Sequence, residues 1–198
     1  SMQECLHDAE QLKSEALTLF SMGHLDLERR AIIEDLYWDC LAAIHLLGRA
    51  MRENDVRCSI PDEVLKLDLE LASIYYCNFS LFASAPDMWA IGQMFPIMPI
   101  HRLNEKPQHK AVLADLTCDS DGKVAAFVTN GHEESKPLLE LHELGQKESY
   151  HLGMFLCGAY QEVLGSLHNL YGSVNSVWVT LDPNTISGYR VESVQRGN

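Results

Sequence analysis

Cations are scarce in this sequence. Fifteen Lys and Arg stand against 28 Asp and Glu, a net charge of −13. A nucleic-acid surface needs clustered Lys and Arg to track phosphates, so nucleic acid is excluded as a partner. Long apolar runs are missing too. Nothing approaches the roughly 18 consecutive apolar residues that cross a bilayer, and the first residues are polar and acidic rather than basic and then apolar. Neither a membrane partner nor a secretion signal is expected. The six cysteines (Cys5, Cys40, Cys58, Cys77, Cys118 and Cys157) lie far apart and form no CxxC pair. They read as reduced thiols in a cytoplasmic protein, with Cys157 as a packing residue. The histidines show no HxH or HExxH spacing, and no metal site is expected.

What is present is globular. Hydrophobic residues make up 46% of 198 positions, enough for a true core. Leu6, Ala9, Leu12, Ala16, Leu19 and Phe20 recur at helical spacing and Gly23 follows as a stop, which predicts a helix over residues 3 to 22. Ser1 and Met2 stay out of this fold argument. Asp26 can cap a second, long helix over 27 to 53, carried by the stripe from Ile32 to Leu47, and the two helices should form an antiparallel hairpin. Pro61, with Asp62 and Glu63 behind it, starts a third helix running to about Ile74.

From Tyr75 onward the pattern changes. Tyr75 to Phe82 reads as a strand, a short helix follows from Ser84 and Pro86 to about Met94, and Pro96 and Pro99 force an extended connector. Further strands are expected at 111–118, 123–129, 137–142, 150–157, 175–181 and 188–194, with one helix from about Ala159 to Asn169. The expected fold class is α+β, a helical bundle region over 1–74 followed by a β-barrel-like domain over 75–198.

The octapeptide Asp115-Leu-Thr-Cys-Asp-Ser-Asp-Gly122 places a thiol and three carboxylates on one turn between two apolar alternating runs. Asp121-Gly122 is a hairpin signal, so Cys118 and Asp119 should sit at the mouth of that hairpin. Ordinary turn chemistry also explains Asp-Ser-Asp-Gly, since Asp side chains bond local backbone and Gly tolerates positive φ. A calcium loop lacks its downstream glutamate and flanking helices.

Four ordered segments carry a resemblance to a known family. They are residues 78–103 (NFSLFASAPDMWAIGQMFPIMPIHRL), 115–123 (DLTCDSDGK), 141–144 (LHEL) and 150–172 (YHLGMFLCGAYQEVLGSLHNLYG). Together they resemble the C-terminal part of biosynthetic arginine decarboxylase, a pyridoxal-phosphate enzyme. The resemblance implies a β-barrel beside a larger cofactor-binding (β/α)8 barrel, with a helical bundle inserted between them. That larger barrel is absent from this sequence. None of the lysines lies in a glycine-rich, dry setting of the kind that depresses an amine pKa, so the Schiff-base lysine is not in this chain.

In the resembled family a cysteine of this hairpin reprotonates the substrate, which makes Cys118 the implied catalytic residue. The carboxylate after it binds the distal cation, here Asp119 or, failing that, Asp121. Tyr160 matches a tyrosine that contacts the cofactor. The resemblance further implies conversion of arginine to agmatine and carbon dioxide for polyamine and spermidine biosynthesis, with arginine as substrate, pyridoxal phosphate as cofactor, and a homodimer or higher homo-oligomer with a site shared across the interface. The chain alone should be inactive. A second reading stays open, a non-catalytic decarboxylase-like module that binds or regulates an active homologue.

Overall fold

The computed structural model describes residues 1–54, 59–129, 135–145 and 149–198. Cys58 and Lys147 lie outside these. The described chain is α+β and divides into two compact units, Ser1–Ala72 and Ser73–Asn198.

The first unit holds helices α1 (Met2–Ser21), α2 (Leu27–Asn54) and α3 (Asp62–Glu70). Each end has a local cause. Ser1 caps α1 through a capping box, its hydroxyl accepting from Glu4 N at 3.2 Å while the Glu4 side chain answers the Ser1 amine. A residue set aside in the sequence argument therefore starts the helix. The chain leaves α1 at Gly23, whose φ of +76° lies where a Cβ is unfavourable. Asp26 caps α2 by accepting from Arg29 N at 2.8 Å.

Leu6, Leu41, Ile44, Val64 and Leu67 form the buried centre of this unit. Full burial of Leu41 and Leu67 stabilises it by roughly 1.5–3 kcal/mol each. Gly48 lets α3 approach α2, since a Cβ there would lie 3.0 Å from Val64 Cγ1. The apolar stripe read along α2 is only partly used. Leu41 and Ile44 are buried, whereas Ile32, Leu36 and Leu47 are exposed within this unit. Periodicity fixes which residues share a face, and only packing decides how much of that face is covered.

The second unit centres on β3 (His109–Ala114). One edge of β3 pairs in parallel with β1 (Ser73–Tyr76), with Ser73 opposite Ala111 and Tyr76 opposite Ala114. Its other edge is shared by two antiparallel partners, β5 (Leu139–Leu141) along 109–111 and β4 (Lys123–Val124) along 113–114. Between β1 and β3 the chain forms the short helices α4 (Leu81–Ser84) and α5 (Pro86–Ala90) and the strand β2 (Ile97–Pro99), which pairs with β6 (Leu152–Met154). Leu81, Ala85, Ala111, Leu113, Val124, Phe127, Leu139 and Leu141 make the core.

Several expected elements come out differently. The strand read over Tyr75 to Phe82 starts at Ser73 and stops at Tyr76, because Ser80 then caps α4 by accepting from Ala83 N at 3.2 Å. The helix expected to reach Asn169 ends at Val163 as α6 (Ala159–Val163). The last two strands, β7 (Ser176–Leu181) and β8 (Tyr189–Gln195), pair only with each other, with a bulge at Trp178/Val179. Val177, Val179 and Leu181 face Val194, Val191 and Tyr189 across this ribbon, and all six are exposed. Among the described residues the strands thus form separate sheets of four, two and two strands, and no closed barrel.

Candidate functional site

The octapeptide between β3 and β4 is held from inside. Asp115, 4% exposed, accepts three hydrogen bonds. Its Oδ2 takes Leu81 N at 2.9 Å, and its Oδ1 takes Thr117 N at 2.9 Å and Thr117 Oγ1 at 2.8 Å. The loop is closed by Asp115 N donating to Gly122 O at 2.8 Å and by Gly122 N donating to Asp119 O at 3.1 Å. Gly122 has to be glycine, because a Cβ would run into the Asp115 carboxylate. One of the three carboxylates of this turn is therefore structural, a buried cap that ties the turn to α4.

The residues that this frame presents to solvent are Cys118, Asp119 and Asp121, all exposed. Asp119 is gripped from 50 residues away. Its Oδ2 accepts from Asn169 Nδ2 at 2.9 Å and from His168 Nε2 at 3.0 Å. Hydrogen bonding from Asn169 first, and then from His168, holds its carboxyl below the usual value. With the folded pKa depressed, this grip is complete above the ordinary carboxylate range and is lost as pH falls through the lower folded value.

The gripping segment is itself anchored. Ser166 N donates to Phe82 O at 2.8 Å, and Gly165 packs so closely on Ala83 that a Cβ would strike the Ala83 carbonyl. Ser166 Oγ lies 2.9 Å from His168 Nδ1, and the Phe82 ring meets the His168 imidazole edge-on at 5.2 Å. These contacts join α4, the octapeptide and residues 165–169 into one cluster. Sequence reasoning missed His168 and Asn169, although LHNL was part of a matched segment, because nothing in the local pattern tells a capping histidine from a long-range donor.

Tyr160 takes no part in this grip. It lies on α6 and is 75% exposed, and no hydrogen bond among the described residues joins it to Cys118 or Asp119. With five residues, α6 is too short to sum a helix dipole at its Gly158 end. Its neighbour Gln161 is buried and locks α6 to α5, donating to Asp87 Oδ2 at 2.6 Å. Cys157, expected to pack, is exposed.

No group of three or more metal-ligating side chains converges among the described residues. None of the described lysines is buried, so none of these offers the dry amine that a pyridoxal phosphate Schiff base requires. The thiols divide by environment. Burial pushes Cys77 up to about 11, which leaves about one part in a thousand as thiolate at pH 8. Iodoacetamide at pH 8 is expected to alkylate solvent-open Cys118 while Cys77 stays unmodified. Peptide mass mapping checks this, and early modification of Cys77 would contradict its burial.

Residues 1–64 match the model of the arginine decarboxylase helical bundle domain. Along its whole length, the chain is similar to a C-terminal portion of biosynthetic arginine decarboxylases. It is 52% identical to the enzyme of that name from Gloeobacter violaceus over 100% of the chain and 30% of the relative. To biosynthetic arginine decarboxylase 1 of Synechocystis it is 48% identical over 99% of the chain and 28% of the relative. The crystal structure of the Campylobacter jejuni biosynthetic arginine decarboxylase superposes with a TM-score of 0.69 at 36% identity, covering 98% of this chain and 28% of that one. The chain thus spans less than a third of the length of these relatives. No described helix is long and apolar enough to cross a membrane.

Proposed function

We propose that this chain is the C-terminal portion of a pyridoxal-phosphate-dependent arginine decarboxylase and supplies the proton donor and the substrate-binding carboxylate to an active site completed by the rest of the enzyme. The observation that carries this reading is the similarity to biosynthetic arginine decarboxylases over 99–100% of the chain. The exposed Cys118-Asp119 pair, presented on a turn fixed by Asp115, is the chemistry that fits it.

The bound cofactor supplies an electron sink for the bond that breaks at the α-carbon. The residues of this chain do the rest of the work assigned to them. Asp119 pairs with the distal guanidinium, a planar cation that matches a carboxylate. Asp121, two residues on, lies exposed at the same rim. Cys118 Sγ gives its proton to the α-carbon after carbon dioxide departs, and the thiolate recovers a proton from solvent. Tyr160 offers its phenol to the cofactor. The product is agmatine, a polyamine precursor, made in the cytoplasm, where unpaired thiols persist. The site is shared across a homodimer or larger homo-oligomer.

Mixing this chain with the cofactor-bearing barrel half of a resembling enzyme tests the proposal. Carbon dioxide release from arginine is expected only when both are present. No release despite association of the halves in sedimentation would overturn it and favour a binding or regulatory module.

A further inference from the structure

We propose that His168 and Asn169 are positioning residues that preset the Asp119 carboxylate for a cationic ligand, leaving Oδ1 as the oxygen it offers. This rests on the reading of Asp119 as the substrate carboxylate. Both donors converge on one oxygen, Oδ2, at 2.9 and 3.0 Å, and Oδ1 takes no hydrogen bond from the described residues. An exposed aspartate on a turn would otherwise sample several rotamers, and each fixed donor removes that freedom before the ligand arrives.

The donors are themselves oriented. The Ser166 hydroxyl accepts from His168 N at 3.4 Å, which turns its own hydrogen toward His168 Nδ1 at 2.9 Å. With Nδ1 accepting, the neutral imidazole carries its proton on Nε2, facing Asp119. A neutral donor steers the carboxylate without cancelling its charge, whereas an imidazolium would compete with the ligand. The Asn169 amide has no such third group behind it. Its Oδ1 is buried with no partner, so donation to Asp119 is what fixes the orientation of the amide.

Two consequences follow for recognition. A guanidinium meeting Asp119 finds one open oxygen, so it docks end-on there, with its second N–H face turned toward other acceptors. Asp121 accepts no side-chain hydrogen bond among the described residues and is not preset, which makes Asp119 the primary contact.

The test uses the complete holoenzyme that contains this chain, with steady-state kinetics on arginine for D119N, H168F, H168Q and N169A. Loss of a donor to a charged group is expected to raise KM roughly tenfold in H168F and N169A with kcat changed less than about threefold. H168Q, whose Nε2 can occupy the place of the imidazole Nε2, is expected to restore most of the lost KM. Nitrogen chemical shifts of labelled His168 in this chain should report the Nε2–H tautomer and move in D119N. A raised KM in D119N with an unchanged KM in H168F and N169A would overturn the positioning role alone. An unchanged KM in D119N would remove the substrate-carboxylate reading itself, and the positioning role with it.

Discussion

Asp115→Ala is expected to lower the stability of the Ser73–Asn198 unit by about 3 kcal/mol. The substitution removes a carboxylate that accepts three hydrogen bonds, and such bonds to a charged group contribute about 1.5–3 kcal/mol each. The Thr117 donors lie at the rim of the turn and regain water. Leu81 N starts α4 beneath a side chain that is 2% exposed, and water cannot replace the lost partner there. The cost of that orphaned donor sets the magnitude. In a thermal melt the unit should lose about 10 °C, and Asp115→Asn, which keeps one acceptor oxygen, should fall between. Gly122→Ala should act in the same direction by pressing a Cβ into that carboxylate. Asp121→Ala, exposed on the same turn, is the comparison and should stay within about 0.5 kcal/mol. An Asp115→Ala variant within 1 kcal/mol of the parent would show that the turn holds without its buried cap.

The contrast between Asp115 and its neighbours shows what could be read in advance. Both Asp115 and Asp119 are acidic turn residues, and composition treats them alike. One is a buried cap, because α4 delivers a backbone donor from 34 residues away. The other is exposed and gripped from residues 168 and 169. Long-range partners of this kind leave no local trace in the sequence. Where the cause is local, reading succeeded. The three N-terminal helices follow from apolar spacing, from Asp26 as a cap and from Gly23 as a stop, and their observed limits differ from expectation by at most four residues.

The β elements were legible as hydrophobic segments and not as a topology. Asp121-Gly122 marked the connection between β3 and β4, and those strands do pair, though over only two residues of β4. The parallel pairing of β1 with β3 requires a crossover through α4, α5 and β2, which alternation cannot signal. Helix propensity over 159–169 was overridden where Gly165 docks on Ala83 and draws the chain away from α6. The barrel-like expectation is not met among the described residues, where β7 and β8 pair with each other and with no other strand.

Cys118→Ala carries the largest expected effect on activity. In the complete enzyme the proposal assigns Cys118 a single job, delivery of one proton to the α-carbon, and positioned proton donors contribute about 10²–10⁴ in rate. A fall in kcat of at least about a hundredfold is expected. KM for arginine should stay within about threefold, because the proposal assigns the substrate cation to Asp119 and not to the thiol. Cys118→Ser, a hydroxyl of similar size but far weaker acidity, should recover little of the loss. Folding is not the concern, since Cys118 is exposed and makes none of the hydrogen bonds that close the turn. The thermal melt of the variant should match the parent. Carbon dioxide release followed at saturating arginine checks the rate, and the same assay at low arginine separates KM. A variant that keeps its full kcat would remove the thiol from the mechanism and pass the proton to another donor at the rim, leaving Asp119 and its grip as the contribution of this turn.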